Sequence, residues 1–334
     1  MSIKLSAVIC TFNRVDHVQL AIESLTSQTL PADDFEIIVV DNASSDATPD
    51  VIGQLLASIP NLRYVREDTM GLSHARNRGT AESRGEIIVF LDDDAVAEPD
   101  CLAAHLRAFA QQPAPVATAG RIYLRWPAER PSWVPVSQES YYSGLDLGDS
   151  YQLLTFPQYP YGANMAIDRQ TLIDLGGFSV ELGRIGTNLI SGEEKDLFLR
   201  IHRLGRRVVY VPDAVVHHHV LEERTEKRWL LRRSLAQGRS DIVMDAIAKG
   251  PPPLARLTAR TSLHWARSGR RLAALVGALV LRRDAAEIMA RAGLSLRWVG
   301  AAWEGTLMMV RSRSARDEIE PQPAPARGEG DLGS

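Results

Sequence analysis

Three short β-favouring runs in the first hundred residues each end in a polar cluster. Residues 5–10 (LSAVIC) lead into Thr11, Asn13, Arg14 and Asp16. Residues 36–40 (EIIVV) lead into 41–46 (DNASSD), and 86–91 (EIIVFL) into Asp92, Asp93 and Asp94. A shorter run, 62–65, lies between the last two. The stretches separating these runs have helical spacing. Residues 16–28 place Val18, Ala21, Ile22 and Leu25 on one face with Asp16 as the expected N-cap, 48–58 form a second helix, and 72–83 a third, closed by Gly85 at the C′ position. Continuous apolar strands alternating with helices predict an α/β fold, a mostly parallel sheet covered on both faces. Such sheets bind ligands at the carboxyl ends of their strands, which is where the polar clusters stand.

Beyond residue 120 the character changes. Residues 125–161 are rich in Pro, Trp and Tyr and show no regular period. A long loop with that many aromatics reads as functional rather than disordered. Regularity returns at 164–168, with a helix over 169–175, Gly176 and Gly177, a flexible glycine-rich stretch over 183–192, a helix over 194–204 and a strand over 207–211 ahead of Pro212. From 225 to 316 the pattern is helical, interrupted at Gly250 and the three prolines that follow. The chain therefore divides into a catalytic part (1–223), a basic helical extension (224–316) and a Pro-, Gly- and acid-rich tail (317–334) expected to be disordered.

Charge follows this division. Residues 200–316 carry 23 Lys+Arg against 9 Asp+Glu, and the remainder 15 against 32, for a net charge of -3. A basic helical segment beside apolar runs such as 272–281 predicts docking on an anionic membrane surface or on a membrane protein. That run is too short to span a bilayer, which takes about 20 residues. Cys10 and Cys101 lack CxxC spacing, so neither a zinc nor a redox centre is expected. With no signal peptide evident, the expected location is the cytoplasm, peripheral on the inner face of the cell membrane.

Four constellations carry chemistry. Asp92 and Asp94 point to the same side of an extended segment, and adjacent carboxylates repel unless a cation neutralises them. Gly192, Glu193 and Glu194 open a helix beside a glycine-rich loop, where a glutamate can act as a general base. His217, His218 and His219 follow the late strand, and one of them could join a metal set with the carboxylates. The 71–77 segment (GLSHARN) brings Arg76 to a helix start suited to a phosphate or ribose.

In this order, the segments VICTFNR (8–14), IVVDNASSD (38–46), GLSHARNRG (71–79), FLDDD (90–94), GANM (162–165), GGF (176–178), GEEKDL (192–197) and VPDAVVHH (211–218) resemble the family 2 inverting glycosyltransferases of the GT-A fold. The resemblance spans residues 5 to about 220. It implies transfer of a sugar from a nucleotide-diphosphate sugar to an acceptor hydroxyl, with Mg²⁺ or Mn²⁺ as cofactor and no nucleic-acid partner. It further implies donor binding by Thr11, Asn13, Arg14, Asp41, Arg76, Asp92 and Asp93, and metal ligation by Asp94, Asp92 and His218. Glu194, or Glu193 beside it, is implied as the base. His217 and His219 remain alternatives to His218. A sugar-phosphate nucleotidyltransferase is a rival reading, but the loop after the first strand has no glycine. A non-catalytic membrane-surface scaffold is the other rival.

Overall fold

The computed structural model describes residues 3–184, 191–250 and 252–317. The glycine-rich stretch expected to be flexible lies largely outside the described residues, as does the tail from 318 on. Among the described residues one sheet takes in nine strands. The strands β1 (Leu5–Thr11), β2 (Phe35–Asp41), β3 (Leu62–Arg66) and β4 (Ile87–Asp92) lie side by side in the order β3-β2-β1-β4, all parallel. Their crossovers are α1 (Val15–Thr26), α2 (Thr48–Leu56) and α3 (Leu72–Glu82). Every residue of β2 is buried, consistent with a parallel strand covered on both faces. The carboxyl ends of β1, β2 and β4 converge, which brings Thr11, Asp41 and Asp92 to one rim.

Past β4 the sheet is mixed rather than parallel. The strand β8 (Met165–Asp168) runs antiparallel to β4, and β6 (Ala117–Arg125) antiparallel to β8. The long β9 (Val208–His219) returns parallel to β6, and the short β5 (Ala95–Ala97) and β7 (Gln152–Leu153) pair with it antiparallel. The helices α4 (Cys101–Phe109) and α5 (Arg169–Asp174) flank this half, and α6 (Glu193–Arg203) lies ahead of β9.

Local details correct the expectations in three places. The N-cap of α1 is Arg14, not Asp16, and it makes no side-chain capping bond. Helix α3 ends on the extended Ser83, so Gly85 is not its C′ cap. The Gly85 backbone instead lies against β1, where a Cβ would meet the backbone of Leu5 and Ser6 at 2.6 Å. The third correction is that the strand expected to end at Val211 continues to His219. Pro212 has no N–H for the ladder, and the register to β6 steps from Gly120↔Val211 to Arg121↔Val215. The Asn164 side-chain amide fills this bulge, donating to the carbonyls of Ala214 (2.8 Å) and Arg121 (3.0 Å).

The last third folds into three long helices, α7 (Lys227–Lys249), α8 (Leu254–Val280) and α9 (Ala285–Asp317). Glycines set the spacing of α7 and α9: a Cβ on Gly238 would collide with the Arg297 carbonyl oxygen, and one on Gly300 with that of Leu235. The aromatics of 125–161 are explained here. Val134 and Tyr142 are buried with Leu230 and Met289, and Trp126, Trp133 and Tyr141 pack around them. The segment itself contains a 3₁₀ turn, Val136–Tyr142, and β7.

Candidate active site

The three acids after β4 diverge. Asp94 is buried and its Oδ1 lies 2.9 Å from His218 Nε2. Its Oδ2 accepts from Arg14 at 2.7 Å and lies 3.6 Å from Arg224. Burial alone would raise the Asp94 carboxyl, but His218, Arg224 and Arg14 hold it well below the usual range. Asp92 Oδ2 is 4.0 Å from the same His218 nitrogen. Asp93 turns towards β1, accepting from Thr11 Oγ1 at 2.8 Å. Burial pushes it up to about 7 against the opposing pull of Arg14.

Among the described residues Asp92, Asp94 and His218 form the one group that could hold a metal ion, with ligand atoms within 4.8 Å of one another. Two hard carboxylates and an imidazole suit Mn²⁺ or Mg²⁺, and the buried His218 Nδ1 has no partner among the described residues. The pairing of β5 with β9 sets His218 opposite Ala95, and the Asp94 carbonyl accepts from His219 N at 2.7 Å. Strand alternation then turns His217 to the other face, where it meets Glu98 at 2.8 Å and stacks on Tyr123. Neither His217 nor His219 lines the cleft.

Across the cleft, α6 starts at Gly192, whose φ of 129° favours glycine. Glu193 and Glu194 follow, and the buried Arg76 of α3 spans to both. Its guanidinium is 3.0 Å from Glu193 Oε1, 3.1 Å from Glu194 Oε1 and 3.4 Å from Asp92 Oδ1, over the Phe178 ring. Glu193 is fully engaged, its other oxygen accepting from Gly192 N. Glu194 accepts from Gly162 N at 2.9 Å and is the more open of the two, with 21% of its side chain exposed against 3%. Burial, with Glu193 adding to it and Arg76 opposing it, raises the Glu194 carboxyl to about 7.

The remaining expected donor contacts split. Thr11 and Arg14 line the cleft, joined by Asn42. Asp41 does not: it is fully buried, accepting from Ser44 N, Tyr64 Oη and Arg66. Asn13 does not either. With φ at 52°, it accepts from Ser45 N at 2.7 Å and clamps the loop after β2.

The cleft is a cavity of about 400 Å³. One wall was not apparent from sequence motifs. It comes from the helical extension: Arg233 and Gln237 of α7, Arg297 of α9, and Arg224 just ahead of α7. Tyr141, Tyr159 and Tyr161 add an aromatic side. The aromatic density of 125–161 was the only sequence signal for part of this wall; the arginines were lost among 23 basic residues.

The sequence model of glycosyl transferase family 2 matches residues 6–171. A glucosyl-dolichyl phosphate glucuronosyltransferase of Haloferax volcanii is 30% identical over 249 residues, 73% of this chain and 78% of that one. The chain belongs to glycosyl transferase family 2. This glycosyltransferase is also 26% identical to the succinoglycan biosynthesis protein ExoM of Rhizobium meliloti, over 70% of its own length and 72% of ExoM. Its fold matches that of the mannosyltransferase PcManGT from Pyrobaculum calidifontis, solved with GDP-Man and Mn²⁺. The TM-score is 0.58 at 22% identity, covering 95% of this chain and 88% of that one. S. aureus TarS 1-349 with UDP-GlcNAc superposes with a TM-score of 0.52 at 18% identity, over 73% and 70% of the two chains. The matched 6–171 segment includes Arg76 and the Asp92–Asp94 acids but stops short of Glu193, Glu194 and His218.

Proposed function

We propose that this glycosyltransferase moves a sugar from a nucleotide-diphosphate sugar to an acceptor hydroxyl by a single displacement that inverts the anomeric centre. One observation carries the reading: a single buried guanidinium, Arg76, touches both Asp92 of the metal-ligating group and Glu194 across the cleft. The leaving-group side and the proton-accepting side are thereby held at a fixed separation. A divalent ion, Mn²⁺ or Mg²⁺, bound by Asp92, Asp94 and His218 would supply charge neutralisation for the departing diphosphate. Thr11, Arg14 and Asn42 are read as the nucleotide side, with Asp41 shaping that pocket from beneath through Ser44 and Tyr64.

Glu194 is read as the base. A carboxyl near pH 7 is half ionised where it must accept a proton, the condition for efficient general-base catalysis. Glu193 is less suited, since Arg76 and Gly192 N occupy both of its oxygens. The other carboxylates of the cleft are engaged, Asp92 and Asp94 in the group that would hold the metal, Asp93 by Thr11 and Glu193 by Arg76 and Gly192 N, which fits a single displacement.

Peripheral membrane attachment is part of the reading. Trp265, Leu272, Val276 and Leu279 fall on one face of α8 and are 44–55% exposed. Arg260, Arg267, Arg270 and Arg271 lie around the rest of that helix. No described helix is long and apolar enough to cross a membrane. The chain would then work at the cytoplasmic face on a lipid-linked or glycan acceptor.

The test is a panel of UDP- and GDP-sugars with Mn²⁺ or Mg²⁺, read by nucleoside diphosphate release. Release from one donor that is abolished by EDTA and lost by orders of magnitude in Asp94→Asn is expected. Metal-independent release, or near-normal turnover in Asp94→Asn, contradicts it.

A further inference from the structure

The cleft carries more positive charge than a nucleotide sugar needs. Its lining holds seven cations, Arg14, Arg76, Arg184, Lys195, Arg224, Arg233 and Arg297, against five carboxylates, Asp92, Asp93, Asp94, Glu193 and Glu194. Asp241, just behind the wall, answers Lys195 at 3.2 Å and Arg297 at 2.7 Å. A divalent ion would add two positive charges, and a diphosphate, at about one negative charge per phosphate, would remove about two. The excess therefore persists with donor and metal bound.

The structure locates that excess. Arg14 and Arg224 sit on Asp94, and Arg76 on Glu193 and Glu194. Arg233 has no carboxylate partner among the described residues. It is 93% buried and, among the described residues, donates only to Ser191 Oγ at 3.0 Å, with its guanidinium carbon 5.4 Å from the Tyr141 ring centre. Its Nε and Nη1 have no acceptor among the described residues. The nearby Glu193 is already committed to Arg76. Burial, together with the neighbouring Arg184, lowers the guanidinium to about 10, an environment hostile to a bare cation. A buried cation without a counter-charge is expensive to maintain, and a ligand that brings an anion removes the expense.

We infer that Arg233, with Arg184 beside it, forms an oxyanion subsite on the helical wall of the cleft. It would take a carboxylate or phosphate of the substrate other than the donor diphosphate. The inference rests on the proposed transferase reading. Arg233 adjoins Ser191, two residues from Glu193, so the anion would lie on the sugar and acceptor side of the cleft. Two sources share this chemistry: a uronate carboxylate on the donor sugar, and a phosphate on the acceptor. A guanidinium–carboxylate or guanidinium–phosphate contact is bidentate and charge-assisted, and its loss corresponds to about tenfold to a hundredfold in affinity.

The experiment titrates the full-length protein with matched ligand pairs by calorimetry in the presence of Mn²⁺. The donor arm compares UDP-glucuronate with UDP-glucose and GDP-mannuronate with GDP-mannose. The acceptor arm compares geranyl phosphate with geraniol, with UDP or GDP present. The wild type is expected to favour the charged member of one arm at least tenfold. Arg233→Gln should erase that preference while leaving the neutral member's affinity within about twofold, and Arg233→Lys should keep part of it. The arm that responds identifies the source. No preference in either arm for the wild type, a reading that needs no variant, overturns the subsite, as does a preference that survives Arg233→Gln. Nucleoside diphosphate release measured alongside separates the two readings. Turnover without charge preference removes the subsite alone, and preference without turnover on any donor removes the transferase reading.

Discussion

Replacing Arg76 by Met keeps an unbranched, flexible stem and deletes the guanidinium whose charge joins the two halves of the cleft. The guanidinium is almost wholly buried and lies 3.0–3.4 Å from Glu193, Glu194 and Asp92. Removing one partner of a buried ion pair costs about 3–5 kcal/mol, so the melting temperature should fall by roughly 5–10 °C. The more informative effect is on Glu194. At 3.1 Å and an effective dielectric of about 20, the Arg76 interaction is about 5 kcal/mol, and a quarter of it moves the carboxyl up by about one pH unit. The sign is fixed: Arg76 favours the ionised form, so its loss raises the Glu194 carboxyl above its position near 7. The base acts ionised. At pH 7 its ionised fraction should therefore drop from about half to about a tenth, with turnover recovering as pH rises towards 9. The assay is nucleoside diphosphate release from pH 5.5 to 9.5, run well below the variant's melting temperature. An acid limb that stays in place, or moves to lower pH, refutes the role given to Arg76, even if overall activity falls.

Glu194→Gln should lose about 10²- to 10⁴-fold in turnover while retaining donor binding, and Glu193→Gln should lose stability more than rate. An inactive Glu193→Gln beside an active Glu194→Gln reverses the assignment. His105 is buried between Thr118 and Asn164, and burial lowers it to about 4. A group depressed in the fold costs stability as pH falls below its unfolded value near 6.5. Urea denaturation should therefore show about 2 kcal/mol lost between pH 7 and 5 from this residue, a slope that His105→Gln flattens. The triple change Leu272→Glu, Val276→Glu and Leu279→Glu should abolish co-sedimentation with phosphatidylserine vesicles at low salt without altering turnover on a soluble acceptor. Unchanged vesicle binding would remove the membrane face from α8.

The half of the fold nearest the amino terminus was legible because its strands are buried on both faces and so write continuous apolar runs, as in Phe35–Asp41. Strand β6 was not, since it opens on the small residues Ala117, Thr118, Ala119 and Gly120, which write no strong apolar run, and at Gly120 a side chain would collide with Asn164. The continuation of β9 was hidden by Pro212, whose missing N–H reads as a terminator until a side-chain amide from Asn164 is seen to fill the bulge. At the site, the Asp92–Asp94 cluster and the Glu193-Glu194 pair could be read as motifs, and strand alternation distinguishes His218 from its neighbours once the register is known. The bridging role of Arg76 was not legible. It depends on a long-range meeting of α3 and α6, 117 residues apart. Arg233 was invisible for a different reason. On a helix with so many arginines, only burial separates the one that faces the cleft from those that face water.

The stereochemistry of the first-formed sugar tests the central claim most directly. A donor identified by the panel is incubated with the full-length protein and Mn²⁺, with acceptor or with water as the slow acceptor. The anomeric proton of the product is followed by NMR before mutarotation scrambles it. Inversion relative to the donor is predicted, with the signal absent in Glu194→Gln. Retention of the donor's configuration would contradict the single displacement and the place given to Glu194.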